Sequence, residues 1–421
     1  MESFRKLGIA EPIIKAIANE KFEIPSEIQE KAIPAALSGK DIIAGSATGS
    51  GKTLVFGADI IQNTEKEGKL RALVLTPTRE LADQITKALY RFSKYKHLKI
   101  VPIYGGVSIN PQIEQLRNAD VVVATPGRLM DHMKRNTMNL RGIKILVIDE
   151  ADRMFDMGFI RDVEMIIREC PRDRQTLLFS ATITKEVNHL AAKYMRNPLE
   201  IAAASFVDPK KLIQVYYDID NRNKFSLLVH LLKHEKSGLV MVFCNTRGSV
   251  NFVVGNLQSV GIPAQAMHGG FAQGKRSSVL ESFHAQTVTI LVCTDVAARG
   301  LDIPGVSHIY NYDIPADSKL YIHRVGRTAR AGADGIAVNL VSREQHQNFA
   351  GVIKDNDFDI KKVITPEFER VNIEWKERPR FSGGGRPGFG HRSGFGGRPG
   401  FGRSRSGFRG RKKKFAGPRY R

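Results

Sequence analysis

A short run of small residues followed by a lysine and a threonine, ATGSGKT at 47–53, has the clearest chemical potential in this sequence. It follows a strand-like apolar run and precedes a helix-like one, although Ser46 stands where the strict pattern has glycine. Small residues let backbone N–H groups converge on phosphate oxygens, and a helix N-terminus adds positive potential. We expect Lys52 to contact the terminal phosphates of a nucleotide and Thr53 to bind Mg²⁺. The predicted phosphate-binding residues are Ala47, Thr48, Gly49, Ser50, Gly51, Lys52 and Thr53.

A second run, ILVIDEAD at 145–152, ends a buried strand with three carboxylates. The first carboxylate, Asp149, can hold Mg²⁺ through water, and the next, Glu150, can orient or deprotonate an attacking water. An acidic strand end is also common on ordinary protein surfaces. In combination with Lys52 and Thr53, however, the pair predicts hydrolysis of a nucleoside triphosphate.

Three arginines at three-residue spacing, in YIHRVGRTAR at 321–330, form a third candidate. Arg324, Arg327 and Arg330 lie along one side of a helix or turn at this spacing. An arginine that reaches the γ-phosphate neutralises charge that develops in the transition state. Taken in isolation, the segment is better explained as a solvated basic helix.

Two series of short apolar runs, separated by helical patterns, must position these groups. The first series is at 42–47, 71–77, 121–126, 145–150 and 176–182, and the second is at 215–219, 239–245, 289–295, 308–314 and 335–341. Such runs predict parallel sheets covered on both faces, with ligands beyond the carboxyl ends of the strands. We therefore predict an α/β protein with two domains, 1–205 and 206–365, joined by a polar, proline-containing linker near 203–211.

The remaining segment, 366–421, is predicted to be a disordered tail. The formal net charge of the chain is +21, and residues 378–421 carry +14 of it, with eleven Arg, three Lys and no acidic residue. This stretch also has thirteen Gly and six Phe, and it repeats GRPGFG, so it cannot form a core. A basic tail on a mildly basic body indicates a polyanionic partner, either nucleic acid or an acidic membrane face, with a solubilising role as the alternative.

Other features exclude several classes of protein. The longest apolar runs are far shorter than the ~18 residues that a membrane span needs, and the first twelve residues lack the apolar core of a signal peptide. Cys170, Cys244 and Cys293 are too scattered for a disulfide framework or a metal site. We therefore expect a cytoplasmic protein in a reducing compartment, with no membrane partner.

Taken together, the motifs resemble those of the DEAD-box RNA helicases, in the same order and over about residues 4–345. The similar motifs are Phe22…Gln29, ATGSGKT (47–53), PTRELA (77–82), Gly105-Gly106, TPGR (125–128), DEAD (149–152), SAT (180–182), VFCNT (242–246), Gln273…Arg276, TDVAARGLD (294–302) and HRVGRTAR (323–330). The resemblance implies two RecA-like domains, each a mostly parallel sheet with helices on both faces. It also implies ATP and Mg²⁺ in the cleft and single-stranded RNA across both domains. The compact size resembles that of prokaryotic members.

The resemblance also implies roles for individual residues. Phe22 would stack on adenine and Gln29 would pair with its edge, supported by Phe4. Arg327 and Arg330 would be the arginine fingers. ATP would further contact Gly300 and Asp302, the latter at the ribose. The residues that couple hydrolysis to strand separation would be Ser180, Thr182, Asp152 and His323.

Predicted RNA contacts combine small residues at strand ends with a few arginines. Glycine, proline and hydroxyl residues bring backbone N–H groups close to phosphates, so binding should be largely independent of base sequence. The predicted contacts are Pro77, Thr78, Arg79, Gly105, Gly106, Thr125, Pro126, Gly127, Arg128, Thr246, Arg276 and Thr294. Taken one by one, each Gly or Pro is better explained by a turn, but their placement at strand ends, together with the resemblance, favours RNA contacts.

We therefore predict an ATP-dependent RNA helicase whose ATP hydrolysis is stimulated by RNA, and which opens short duplexes locally or remodels RNA and RNA–protein complexes. A DNA-translocating helicase and an RNA clamp or annealing protein are the alternatives. By analogy with the family, the partners would be ribosome or RNA-decay complexes, and the core would be monomeric.

Overall fold

The computed structural model describes residues 1–20, 22–45, 50–202, 211–235, 237–298, 303, 305–329, 334–356 and 359–373. Several predictions lie outside these ranges. They concern Ala47, Thr48, Gly49, Gly300, Asp302, Arg330, the linker boundary at 205/206 and the basic tail from 378 onward. All described residues belong to one compact unit.

The first half of the described chain forms a sheet of seven parallel strands. The strands are β1 (Ile42–Gly45), β2 (Ala72–Leu75), β3 (Ile100–Ile103), β4 (Val121–Ala124), β5 (Ile145–Ile148), β6 (Gln175–Ser180) and β7 (Leu199–Ala202), in the order β3-β4-β2-β5-β6-β1-β7. The helices are α1 (Glu2–Arg5), α2 (Glu11–Asn19), α3 (Glu27–Leu37), α4 (Lys52–Asn63), α5 (Arg79–Phe92), α6 (Asn110–Leu116), α7 (Pro126–Lys134), α8 (Ala151–Asp156), α9 (Ile160–Glu169) and α10 (Lys185–Tyr194). We call this sheet the first sheet.

The second half forms another sheet of seven parallel strands, the second sheet. Its strands are β8 (Leu212–Asp218), β9 (Leu239–Phe243), β10 (Ala264–Met267), β11 (Ile290–Cys293), β12 (Val306–Asn311), β13 (Gly335–Val341) and β14 (Lys361–Lys362), in the order β10-β11-β9-β12-β13-β8-β14. The helices are α11 (Lys224–His234), α12 (Arg247–Ser259), α13 (Gln273–His284), α14 (Asp295–Ala298), α15 (Ser318–Val325) and α16 (His346–Asn356), and a short 3₁₀ turn (Arg343–Gln345) precedes α16.

Each sheet is covered on both faces, as the continuous apolar runs predicted. Because successive side chains of a strand point to opposite faces, Val74 of β2 joins one apolar cluster while Leu73 and Leu75 join another. In β9 the same alternation separates Val242 from Met241. The α/β architecture with two parallel sheets is therefore confirmed.

The ten strands predicted from the sequence are all present, and they are the five interior strands of each sheet. The four strands that sequence reasoning missed, β3, β7, β10 and β14, are the four edges. An edge strand has only one neighbour and carries a weaker apolar signal; β3 contains Pro102 and β14 is a pair of exposed lysines. Beyond residue 365, Phe368, Val371 and Ile373 still pack against the second sheet's core.

Among the helices that the structure describes, none combines the length and the apolar character of a membrane-spanning segment.

A buried arginine organises the second sheet. Arg324 of α15 is 1% exposed, and its guanidinium donates to both carboxylate oxygens of Asp295, at 2.6 and 2.7 Å. The same group donates to Asn245 Oδ1, to Asn311 Oδ1 and to the Asp313 carbonyl oxygen. These acceptors lie on or just after three neighbouring strands, β9, β11 and β12. Arg324 therefore ties α15 to the carboxyl ends of the sheet.

Replacing Arg324 should strongly destabilise the protein. Arg324→Met removes the positive charge but leaves Asp295 in place without its partner. Breaking a buried ion pair in this way typically costs about 3–5 kcal/mol. The measurement is the free energy of unfolding from urea titration, with the exposed Arg343→Met as control. A loss as small as the control's would contradict this role.

Candidate active site

The predicted catalytic groups converge because their strands are neighbours. β5, β6 and β1 are adjacent and parallel, so the segments that follow them meet at one edge of the first sheet. There the Lys52 ammonium lies 2.6 Å from Asp149 Oδ1, with both side chains at most 5% exposed. The structure thus brings together the lysine of one motif and the aspartate of another, 97 residues apart in sequence.

One carboxylate oxygen of Asp149 is not engaged by the protein groups that the structure describes. Its Oδ2 is buried and has no hydrogen-bond partner among the described residues. Burial raises the pKa of the Asp149 carboxyl, while the adjacent Lys52 ammonium acts in the opposite direction. A buried carboxylate oxygen without a donor is suited to a hard cation or to a water bound to one.

Glu150 is held in an uncommon backbone conformation at the start of α8. Its φ and ψ are 54° and 51°, in the left-handed region, where non-glycine residues are rare and often functional. Glu150 Oε2 accepts a hydrogen bond from Arg153 Nη1 at 2.8 Å, and both side chains are almost fully buried. Sequence reasoning missed Arg153, although its i+3 spacing from Glu150 on a helix was a usable signal.

Asp152 links the same motif to the end of β6. Asp152 Oδ2 accepts hydrogen bonds from both the backbone N–H and the hydroxyl of Thr182, each at 2.9 Å. The Ser180 hydroxyl accepts from the Asp152 N–H and donates to the Thr182 carbonyl oxygen. Three of the four predicted coupling residues are therefore one hydrogen-bonded group.

The predicted adenine-recognition element contacts the end of the phosphate loop. The Gln29 side chain accepts from the Ser26 N–H and donates to the Gly51 carbonyl oxygen, both at 3.0 Å. Gly51 has a φ of 88°, and a Cβ there would lie 2.4 Å from Gln29 Nε2, so glycine is required. Phe22 is exposed and lies beside Phe92, and Phe4 is fully buried. The adenine contacts of Phe22 and Gln29 stay a prediction.

Helix α15 of the second half brings His323 to the acidic motif at 149–152, and Arg327 follows two residues after the helix ends. Both ring nitrogens of His323 are buried and have no hydrogen-bond partner within the described ranges. Burial, reinforced by the Arg153 guanidinium, lowers the pKa of His323 to about 4, and Asp152 opposes the shift. Arg327 is 3% exposed, and its Nε donates to the His323 carbonyl oxygen. The arginine predicted to be a finger thus lies beside the histidine that faces the acidic motif.

The predicted RNA contacts of the first half also share one edge of the sheet. They follow β2, β3 and β4, which are neighbours, and the nucleotide residues Lys52 and Asp149 follow β1 and β5. Thr78 caps α5 by accepting from the Leu81 N–H. A Cβ on Gly106 would lie 1.9 Å from the Arg79 guanidinium, so this arginine packs directly on the glycine pair.

The remaining RNA candidates of this half are Pro77, Thr125 and Pro126, which are buried, Gly105, which is partly exposed, and Gly127, which is exposed. Arg128 donates to the Val107 carbonyl oxygen at 2.8 Å and to Gln112.

In the second half, Thr246 and Thr294 follow the neighbouring strands β9 and β11. Arg276 has a partner that sequence reasoning did not assign: Glu80 Oε1 lies 3.1 Å from Arg276 Nη2 and also accepts from Gln273 Nε2 at 3.2 Å. Glu80 is part of the PTRELA motif but was not singled out as a site residue. The contact joins α5 of the first half to α13 of the second.

Two family models match most of this chain. Residues 26–190 match the DEAD/DEAH box helicase family model, and residues 223–332 match the helicase conserved C-terminal domain. The chain is 43% identical over 382 residues to the DEAD-box ATP-dependent RNA helicase CshA of Bacillus cereus, covering 90% of this chain and 72% of the relative. The corresponding protein of Geobacillus kaustophilus is 42% identical, covering 90% and 81%.

Solved structures show the same fold. Dbp5 of S. cerevisiae bound to RNA and ADP–BeF₃ has a TM-score of 0.78 and 32% identity, covering 87% of this chain and 96% of that one. A DEAD box protein from Methanococcus jannaschii has a TM-score of 0.55 and 38% identity, covering 86% and 99%. The two sheets are therefore RecA-like, as the resemblance implied.

The low pKa of His323 predicts a pH-dependent stability. Since the folded-state value lies below the ordinary 6.5, the unfolded chain binds a proton that the folded chain excludes. The stability that the neutral His323 ring allows is therefore fully present above pH 6.5 and is lost as the pH falls toward 4. The free energy of unfolding of the wild type should therefore fall between about pH 7 and pH 5. For His323→Gln, which has no titrating ring, that fall should be smaller by about 1–2 kcal/mol. Parallel curves from urea titrations would contradict the burial of a neutral ring.

Proposed function

This chain belongs to the DEAD/DEAH box helicase family and is an ATP-dependent RNA helicase, and we propose that the groups around Lys52 and Asp149 form its hydrolytic centre. The observation that supports this assignment most directly is that residues of the two halves come together at one place. Lys52, Asp149 and Glu150 lie at one sheet edge, and His323 faces the same acidic motif from α15. An ATPase whose parts come from both halves works only when the halves are together.

We propose that the metal ion is Mg²⁺ and that Asp149 and Thr53, together with water and phosphate oxygens, would hold it. The unpartnered, buried Oδ2 of Asp149 fits a hard cation. When bound, Mg²⁺ neutralises charge on the phosphates.

Lys52 would exchange partners when ATP binds. Its ammonium pairs with Asp149 at 2.6 Å, and both groups are almost fully buried. Triphosphate oxygens offer a stronger set of acceptors for the same ammonium. Transfer of Lys52 to the phosphates would then leave Asp149 available to the metal ion.

Glu150 is our candidate for the general base. Arg153 and the left-handed backbone hold its carboxylate at a defined position beside Asp149. A carboxylate there can accept the proton of the attacking water as the bond to the γ-phosphate breaks. Arg327, and Arg330 by the same motif, would neutralise the negative charge that develops on that phosphate. The Asp152–Thr182–Ser180 group would transmit the change to the RNA-contacting loops.

For RNA, we propose single strands and short duplexes bound through the sugar–phosphate backbone. The hydroxyl, glycine and arginine residues that follow β2, β3, β4, β9 and β11 support backbone contacts rather than base reading. Local opening of short duplexes follows from closure of the two halves on one strand. We further propose a monomeric core that acts on ribosome or RNA-decay complexes in the cytoplasm. The three cysteines are buried and unpaired, which is consistent with a reducing compartment.

Removing the proposed base should stop turnover without unfolding the protein. In Glu150→Gln the amide keeps the shape of the side chain but cannot accept the water's proton. We expect RNA-stimulated kcat to fall by about 10²–10⁴-fold, while fluorescent-ATP binding and the circular dichroism spectrum are retained. Glu200→Gln, at an exposed position of β7, is the control. Turnover near the wild-type rate would show that Glu150 is not the base.

The Glu80–Arg276 pair should contribute to closure, independently of any contact between Arg276 and RNA. Glu80→Arg places two cations together and should weaken RNA-stimulated ATP hydrolysis by about 5–150-fold, the usual size of such coupling. The charge swap Glu80→Arg/Arg276→Glu should recover most of it. Gln273 Oε1, which has no hydrogen-bond partner in the described structure, can accept from an arginine at position 80.

The measurement for this pair combines RNA-stimulated ATPase activity with energy transfer between labels on the two halves. Glu114→Arg, at an exposed position of α6, makes the same charge change away from the pair. If the swap were as impaired as the single variant in both readouts, the contact would have no role in closure.

A further inference from the structure

A cavity of about 660 Å³ lies at the amino-terminal edge of the first sheet, opposite the edge that carries Lys52 and Asp149. Its volume falls within the range of small-molecule sites. Five of its lining residues are cations and one is a carboxylate, Asp173. The cations are Arg71, Arg141, Lys144, Arg174 and Arg196.

Strand register explains why three of these cations form a row. Ala72, Ile145 and Gln175 are aligned across β2, β5 and β6. Arg71, Lys144 and Arg174 each come one residue before an aligned position. Parallel strands in register place equivalent positions side by side. The three residues therefore lie next to one another, each just before the first residue of its strand.

The positive charge of the cavity is only partly compensated. Arg174 donates to the carbonyl oxygens of Pro171 and Tyr194, and Arg196 donates to those of Asp173 and Arg174. Carbonyl oxygens satisfy N–H groups but do not neutralise a guanidinium. Arg71 pairs with Glu67.

Two further observations indicate that Arg174 can bind an anion. Arg174 is only 5% exposed, yet its Nε is buried and has no hydrogen-bond partner among the described residues. Burial also lowers the pKa of Arg174, although the Asp41 carboxylate acts in the opposite direction. The nearby buried carboxylate, Asp41, is already engaged by the backbone N–H groups of Thr176 and Arg196.

We propose that this cavity is a second anion site, which binds a small group of clustered phosphates. Guanidinium groups match phosphate oxygens in geometry and in charge. The five cations of the cavity also outnumber the carboxylates beside them, which are Asp173 in the lining, Glu67 on Arg71 and the buried Asp41. The chemistry is shared by a free oligophosphate and by the 5′-triphosphate end of an RNA. The site is distinct from the hydrolytic centre, since the two lie at opposite edges of the same sheet.

Isothermal titration calorimetry with inorganic tripolyphosphate tests the proposal. The full chain carrying Lys52→Ala serves as background, because this change removes the ammonium of the phosphate loop. On that background Arg141→Gln/Lys144→Gln removes two exposed cations of the cavity and should weaken tripolyphosphate binding by about tenfold or more. The control, Arg161→Gln/Lys185→Gln, removes two exposed cations elsewhere in the first half and should leave binding unchanged.

Equal affinities of the two double variants, or the absence of binding to the Lys52→Ala protein, would overturn the proposal. Competition by a short RNA with a 5′-triphosphate, but not by the same RNA with a 5′-hydroxyl, would support it and identify an RNA end as the source. Binding of tripolyphosphate that neither RNA displaces would support a free oligophosphate. In the otherwise wild-type chain, Arg141→Gln/Lys144→Gln should leave basal ATP hydrolysis unchanged, because neither residue lies at the hydrolytic edge.

Discussion

Parallel pairing of the strands is the constraint on which the rest of this structure depends. When every strand of a sheet runs in the same direction, all carboxyl ends lie at one edge and all amino ends at the other. Lys52, Asp149 and Ser180 meet at the first edge because β1, β5 and β6 are neighbours. By the same rule, Arg71 and Arg174 gather at the opposite edge. One topology thus creates both the hydrolytic centre and the cationic cavity.

The buried charges show how this protein tolerates polar groups in its interior. Lys52 with Asp149, Glu150 with Arg153, and Arg324 are each almost fully buried, and each has a charged partner. A buried ion pair contributes little net stability, because desolvation offsets the attraction. These pairs therefore contribute more to the positions of groups than to stability. The first two hold the proposed reacting groups, and Arg324 holds the helix that carries His323 and leads into Arg327.

The sequence predicted the interior of each sheet better than its edges. The strands β2, β5 and β9 are nearly continuous apolar runs because neighbours and helices cover them on every side. The edge strand β10 has partly buried residues at its centre, so its sequence lacks the continuous apolar run that distinguishes a strand from a loop. The same holds for the packed segment beyond residue 365, where apolar residues such as Phe368 and Val371 are widely spaced.

The sequence by itself determined which chemistry the chain carries, because a phosphate loop, an acidic strand end and an arginine motif are local patterns of residue type and spacing. Only the tertiary structure decided which partners these residues have. Arg324 and Arg327 are alike in the sequence, yet one is anchored to Asp295 in the core and the other lies beside His323. Glu80 and Arg276 are 196 residues apart, and their contact follows from the packing of α5 and α13. Pairings of this kind depend on strand order and helix packing, which no local spacing encodes.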